Sequence, residues 1–467
     1  MTRPARAGAK VFRTTELSVS ATSRLLAAGI AILIFAACDR LLANDAPVQP
    51  NFVIFLADDL GYGDLGPYGS EHILTPHIDR IANQGIVFTE FYASANLCSP
   101  SRAGILTGRY PIRSGLANEV LQNSDNAGLP QEELTVAELL QAEGYRTKLV
   151  GKWHLGSAPP YWPPSNHGFD EYLATVGSVP ERLEPEPLHS HDRDKPNPIP
   201  LSQLISTYTE SAVSFVKQNK NTPFFLLVSY NSPHTPLVPG EDFRGTSAAY
   251  AYGDVVEELD ASIGKIVSTL GEVGIAEHTV VFITSDNGPA FEGDVGGLNG
   301  RKGNAGYDGG YKVPFIAWGP NRVVENSSTA VIASNVDLLP TILSMANTEL
   351  PRCTVLDGAD LSDLLSGGST PVHDYLVYFD NDKVAGIRTQ DWKLVTRFHY
   401  RNYNFTFDRP HYPALYNMEW DRAERFNAAQ NEPEIWREMM ELADEAGDEF
   451  RPLMQKQQIP YAKPASD

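Results

Sequence analysis

Four short apolar runs recur along this 467-residue chain, and each stops at residues able to hold ions. The first is Asn51-Phe52-Val53-Ile54-Phe55-Leu56-Ala57, closed by Asp58-Asp59. Runs that short and that continuous, rich in β-branched and aromatic residues, predict strands buried on both faces. The same texture returns at Thr147 to Val150, Phe224 to Ser229 and Thr279 to Thr284. Helical patterns lie between them, at His77 to Gln84, Thr135 to Glu143, Leu204 to Gln218 and Ala248 to Leu270. Strands alternating with helices predict an α/β fold with a large, mostly parallel sheet flanked by helices.

From about Thr370 the pattern shortens. Tyr375 to Phe379, Val384 to Thr389 and Trp392 to Phe398 predict short strands between turns, and Pro433 to Phe450 a charged helix. These predict a smaller C-terminal antiparallel sheet with a packing helix. The chain thus divides into a leader (1–37), a main α/β domain (48–369) and a C-terminal α+β subdomain (370–467). The segment Glu181 to Pro200 is rich in Pro, His and charge and is expected to be a long surface loop.

The leader carries Arg3, Arg6, Lys10, Arg13 and Arg24 against Glu16, ahead of an apolar run from Leu25 to Ala37. That run suits a signal-peptide core and falls short of the ~20 residues a membrane span needs. Cys38, after Ile34-Phe35-Ala36-Ala37, resembles a bacterial lipoprotein box, which implies a lipid anchor on that cysteine. Cleavage near Ala43 is the alternative. Both imply export to the periplasm or the cell exterior. With 58 acidic and 37 basic residues, a nucleic-acid grip is not expected. An anionic substrate must meet a local cluster of cations. Three cysteines exclude a disulfide scaffold.

Ligands of open α/β sheets bind at the carboxyl ends of the strands. The four runs end in Asp58-Asp59, Gly151-Lys152-Trp153-His154, Tyr230-Asn231-Ser232-Pro233-His234 and Ser285-Asp286-Asn287-Gly288. Taken singly, each has a plain structural meaning: Asp-Asp caps helices and Asn-Gly makes turns. Taken together they gather three carboxylates, an amide, two histidines and a lysine at one edge. Like charges repel unless a cation sits among them. An oxygen-only set suits Ca²⁺ or Mg²⁺ rather than zinc.

The segment Leu97-Cys98-Ser99-Pro100-Ser101-Arg102, followed by Thr107-Gly108-Arg109, resembles the type I sulfatase motif. That family belongs to the alkaline phosphatase superfamily and includes the arylsulfatases. The likeness runs from about Asn51 to the C-terminus and takes in Asp308-Gly309-Gly310-Tyr311-Lys312-Val313-Pro314 and Leu415-Tyr416-Asn417. The resemblance implies that a maturation enzyme oxidises Cys98 to formylglycine. It implies metal ligation by Asp58, Asp59, Asp286, Asn287 and the modified Cys98. Arg102 would hold the formylglycine hydrate, Lys152 and Lys302 the sulfate, with Arg301 the rival of Lys302. His154 would assist deprotonation and His234 would protonate the leaving alcohol. Two departures stand out: Asp308 where the family has Glu, and Lys312 where it has Arg. Cys353 has no motif around it and is expected to be a structural thiol.

The implied activity is hydrolysis of a sulfated carbohydrate or aryl sulfate. Attack by the hydrate would put the sulfuryl group on residue 98, and its second hydroxyl would then expel sulfate, which a plain serine or cysteine cannot do. Two alternatives remain at this level: a phosphonate or phosphate ester hydrolase of the same superfamily, and a non-catalytic binder of sulfated glycans. The basic residues of the expected loop, His189, His191, Arg193 and Lys195, are candidates for contacting a sulfated sugar.

Overall fold

In the computed structural model, strand β1 (Asn51–Asp58) is buried along its whole length. Its side chains alternate between two cores: Phe52, Ile54 and Leu56 enter one, Val53, Phe55 and Ala57 the other. An unbroken apolar run is what a strand with two covered faces requires. The structure describes residues 49–177, 185–193, 195–349, 354–400, 405–406 and 413–459. The leader, Cys38 and Cys353 lie outside them.

After β1 come α1 (Pro76–Asn83), β2 (Ile86–Phe88), α2 (Cys98–Thr107), α3 (Val136–Ala142), β3 (Arg146–Lys152) and β4 (Glu171–Thr175). Then follow β5 (Glu186–Ser190), β6 (Asn197–Ile199), α4 (Leu204–Gln218), β7 (Phe224–Pro233), α5 (Tyr250–Glu272) and β8 (Thr279–Ser285). The main domain closes with β9 (Phe315–Trp318), β10 (Ser327–Thr329) and α6 (Leu338–Met345). The ten strands form one sheet in the order β10-β2-β9-β8-β1-β7-β3-β4-β5-β6. The middle five, β8 to β4, are parallel. One core takes side chains of α2, α3 and α6, the other those of α1, α4 and α5. Asn51 pins the register at the foot of the sheet: its amide bonds the Thr279 hydroxyl (3.1 Å) and accepts from the Phe224 N–H (3.1 Å).

The second sheet orders β11 (Leu376–Asp380), β12 (Lys383–Arg388), β13 (Trp392–Val395) and β14 (Ala414–Asn417) in sequence, all antiparallel. Helix α7 (Pro433–Phe450) lays Met439, Ala443, Ala446 and Phe450 on it, a stripe at helical spacing. Tyr110, Ile112 and Ala117 join the same core, so the small sheet is welded to the chain that follows α2.

The mostly parallel sheet and the C-terminal sheet with its helix match the sequence expectation. The segment Glu181 to Pro200 does not. Within it β5 and β6 form a hairpin antiparallel to β4 at the end of the large sheet. Proline stands in both strands: Pro198 on the outermost strand, as an edge allows, and Pro187 beyond the residues of β5 that pair with β4. Composition alone suggested a loop because an edge strand need not be apolar.

Candidate active site

Side chains of a strand point alternately up and down, so consecutive aspartates would diverge. Asp59 takes a left-handed conformation instead, φ 67°, and both carboxylates turn to one centre. Its N–H donates to Asp286 Oδ1 (3.2 Å), which ties the end of β1 to that of β8. His154 makes the same kind of turn after β3, φ 56°. Gly151, φ 104°, lets β3 approach β7 so closely that a Cβ there would lie 1.9 Å from the Ser229 carbonyl oxygen. Ser229 is thereby brought within reach of the centre.

Cys98 opens helix α2, and its Sγ lies 3.5 Å from Asp58 Oδ1 and 4.0 Å from Asp59 Oδ1. One turn on, Arg102 is fixed from three sides. It donates to Asp286 Oδ2 from Nε (2.9 Å), to the Lys152 carbonyl (3.2 Å) and to Ser229 Oγ (2.6 Å). Ser101 donates to the Asp286 carbonyl and accepts from Asn335 Nδ2 (2.8 Å), anchoring the helix start to the β8 loop. Lys152 Nζ lies 2.5 Å from Asp58 Oδ2, and Lys302 Nζ 2.7 Å from Asp59 Oδ2. His234 Nε2 approaches the same Asp59 oxygen at 3.8 Å, while its Nδ1 donates to the Thr235 carbonyl (2.6 Å). His234 is 22 % exposed, against 3 % or less for Asp58, Asp59 and Asp286, so it stands at the mouth.

The electrostatics follow from this packing. Burial would raise Asp58, but Lys152, then His234, Arg102 and Lys302, hold it well below the usual range. Burial pushes Asp286 up to about 6 against the pull of Arg102. Burial drives the Cys98 thiol up to about 12 despite Lys152 and Lys302, so the unmodified thiol stays protonated at neutral pH. Burial, then the charges of Lys152 and Arg102, keep His154 neutral. Its Nε2 meets the Leu121 carbonyl (2.9 Å), which assigns the proton there and leaves buried Nδ1, without a partner among the described residues, as an acceptor.

One atom each of Asp58, Asp59, Cys98 and Asp286 lies within 4.8 Å of the others, all buried. Asn287 donates from Nδ2 to Asp59 Oδ1 (2.7 Å), while its buried Oδ1 has no hydrogen-bond partner among the described residues. Such an oxygen costs ~1–3 kcal/mol unless something accepts its lone pairs. Three carboxylates and an orphaned amide oxygen fit a hard divalent cation.

Asp58, Asp59, Cys98, Arg102, Lys152, His154, His234, Asp286 and Asn287 converge here, from the ends of β1, β3, β7 and β8 and the start of α2, and Lys302 joins them from the loop after β8. Between the two rivals, Lys302 reaches the centre. Arg301 turns away and donates to the carbonyls of Ala290 (2.7 Å) and Gly293 (2.8 Å). Asp308 and Lys312 also point elsewhere, into a second buried cluster: Lys312 pairs with Glu90 (2.7 Å) and Asp308 with Lys393 (2.6 Å). Sequence reasoning missed Ser229, Ser101 and Asn335. Ser229 ends an apolar run and could have been taken as a strand-end polar group; nothing near Asn335 marks it.

Comparison with known proteins gives the chain's relatives. The family model described as Sulfatase matches residues 50–348. Arylsulfatase A of Bos taurus is 38% identical over 374 residues, covering 73% of each chain. N-acetylgalactosamine-6-sulfatase of Canis lupus familiaris is 36% identical, covering 79% of this chain and 75% of that one. Among solved structures, Ps i-CgsB in complex with k-i-k-neocarrahexaose superposes with a TM-score of 0.77 at 26% identity, covering 89% of this chain and 95% of that one.

Proposed function

The chain belongs to the sulfatase family, and from that premise we propose that it removes sulfate from sulfated carbohydrates at the Cys98 centre, with formylglycine at residue 98 and Ca²⁺ or Mg²⁺ beside it. The observation that carries the proposal is Cys98 at the start of α2, among Asp58, Asp59 and Asp286, with Arg102 one turn behind. The carbohydrate class is supported by relatives and neighbours named for sugar sulfates and for a bound neocarrahexaose. The family assignment argues against a phosphate ester hydrolase and a mere glycan binder.

Asp58, Asp59, Asp286, Asn287 and residue 98 would hold the cation. When present, the cation and the formylglycine hydrate supply an acidified, oriented oxygen nucleophile. The chain's own groups do the rest. Arg102, immobilised by Asp286 and Ser229, holds the oxygens of residue 98. His154 offers Nδ1 as the proton acceptor. Lys152 and Lys302 neutralise charge spreading over the sulfuryl oxygens, leaving their carboxylate partners for it. His234, at the mouth, protonates the departing alcohol from Nε2. The further partners in this reading are a formylglycine-generating maturation enzyme and the export route served by residues 1–37, with either a lipid anchor at Cys38 or cleavage near Ala43. No described helix is long and apolar enough to cross a membrane.

The test has two parts. Peptide mass spectrometry over Cys98 should find the aldehyde in active protein. Turnover of 4-nitrophenyl sulfate should exceed that of 4-nitrophenyl phosphate. A bare thiol in fully active protein, or phosphate as the better substrate, refutes the proposal.

A further inference from the structure

Asp64, in the turn after Asp58-Asp59, is 2 % exposed and has no task in the chemistry above. Its Oδ2 accepts from the Gly61 N–H (2.7 Å) and from the hydroxyl of Tyr252 on the first turn of α5. Its Oδ1 accepts from the Asp294 N–H (2.9 Å), in the loop between β8 and Lys302. Gly63 donates to the Asp294 carbonyl (2.9 Å), so the two loops pair on both sides of Asp294. They pack without room for a side chain: a Cβ on Gly61 would lie 2.2 Å from that carbonyl oxygen.

The peptide that gives its N–H to Asp64 gives its carbonyl, that of Gly293, to Arg301 Nη1 (2.8 Å). One peptide group is thus gripped from opposite sides by a carboxylate and a guanidinium. Hydrogen bonds with an ionised partner are roughly twice as strong as neutral ones. Arg301 also donates to the Ala290 carbonyl (2.7 Å) and the Lys302 N–H to that of Pro289 (2.9 Å). The loop is closed on itself where the Lys302 side chain leaves for Asp59 (2.7 Å). Lys302 needs such a footing, because a lysine is a point charge on a flexible stem. With Asp59 also serving the cation, the reach of its ammonium towards the sulfuryl oxygens is set by where its backbone is held. A misplacement of about 1 Å can cost ~10²-fold.

We infer that Asp64 and Arg301 are positioning residues: by gripping the peptide between Gly293 and Asp294, they fasten the loop that presents Lys302 to the sulfate. The inference rests on the sulfatase reading and gives Arg301, which turns away from the centre, a task that needs no contact with substrate.

The experiment is a double-variant cycle, with kcat/KM read on 4-nitrophenyl sulfate and on a monosaccharide sulfate. Lys302→Ala should cost about 10²-fold and Arg301→Met about tenfold. Each loss should be about equal on the two substrates, because charge neutralisation does not depend on the leaving group. In the Lys302→Ala background, Arg301→Met should cost less than about twofold, since the group it positions is gone. Asp64→Asn should repeat the pattern: its amide keeps one acceptor but sets a donor against the other N–H. Bound Ca²⁺ or Mg²⁺ should stay at the wild-type level in both variants. Should Asp64→Asn fail to fold, the partly exposed Arg301 carries the test alone. Losses that multiply in the double variant overturn the inference, as do loss of the cation or undiminished turnover in Arg301→Met, each leaving the sulfatase reading intact. Wild type that turns over no sulfate ester sinks both.

Discussion

Among the described residues, two buried ionic clusters are built in opposite ways. At the junction of the two sheets, Glu90, Asp308 and Glu424 meet Lys312, Arg388 and Lys393. The contacts are short: Lys312–Glu90 2.7 Å, Arg388–Glu90 3.1 Å, Lys393–Asp308 2.6 Å and Lys393–Glu424 2.6 Å. Tyr92 donates to Glu90 (2.6 Å) and Tyr378 to Asp308 (2.8 Å). Each charge there is answered within the protein. At the sheet's carboxyl edge, oxygens from three aspartates and a thiol crowd one point, Asn287 Oδ1 has no partner, and His154 Nδ1 is a bare acceptor. Internally answered charge holds two sheets together; unanswered donors and acceptors aimed at one point await a ligand.

The largest expected effects break the open cluster. Cys98→Ser should abolish turnover in a host that modifies only cysteine, because serine cannot be carried to the aldehyde there. Asp58→Ala should lose bound Ca²⁺ or Mg²⁺ and activity together. Metal analysis and turnover on the same preparations check this; full activity of either variant, or zinc in active enzyme, contradicts it.

Next comes a split within the open cluster. A sugar alcohol leaves poorly and needs a proton as the S–O bond breaks, while a nitrophenol hardly does. His234→Ala should cost ~10²–10⁴-fold on a sugar sulfate and far less on nitrophenyl sulfate. Lys152→Ala withdraws charge stabilisation from both substrates and should hurt them about equally. Equal loss ratios for the two variants would remove the case for His234 as the acid.

These predictions concern residues legible in the sequence, and for the strand ends the reason is physical. Strand-end polar residues are adjacent in the chain to the apolar runs that place them, so Asp58, Lys152, His234 and Asp286 are found by reading past each strand. The helix at Cys98 was invisible because its ten residues are buried almost all round and show no amphipathic stripe. The strands β2, β9 and β10, of three or four residues, are too short to carry a period. The junction cluster joins Glu90, Asp308 and Glu424 across more than 300 positions, and no local pattern encodes it. Two of its members, Asp308 and Lys312, surfaced only as departures from the family motif.

The closed cluster should respond in stability rather than in chemistry. Lys393→Met strands Asp308 as a buried carboxylate without its nearest cation and removes the partner of Glu424, a loss of ~3–5 kcal/mol. Part of the effect should reach the centre, because the Asp308–Gly310 turn packs on Gly288: a Cβ there would lie 2.0 Å from the Gly309 carbonyl oxygen. Denaturant unfolding checks the stability. A variant as stable as wild type would mean that the cluster is not what joins the sheets.

The smallest effect lies in the pH dependence of the same cluster, where two carboxylates have opposite signs. Burial pushes Glu424 up to about 8, against the pull of Lys393. In the unfolded chain a glutamate titrates near ~4.3. Between those values the folded protein holds a proton that the unfolded chain has lost. The stability Glu424 contributes is therefore full below ~4.3 and fades as pH rises through about 8. Burial would also raise Asp308, but Lys393, then Lys312 and Arg388, hold it at about 2. Its contribution is full above ~3.9 and is lost only as pH falls through about 2. Between pH 5 and 8 Asp308 is thus silent and Glu424 alone of the two titrates. Glutamine keeps the shape of a protonated glutamate and cannot ionise, so Glu424→Gln should match wild type near pH 5. As the pH approaches 8 the variant should hold its melting temperature while wild type falls behind by about a few degrees. Parallel melting curves across that range would show that Glu424 is already ionised in the folded protein, and that the closed cluster balances three negative charges rather than two.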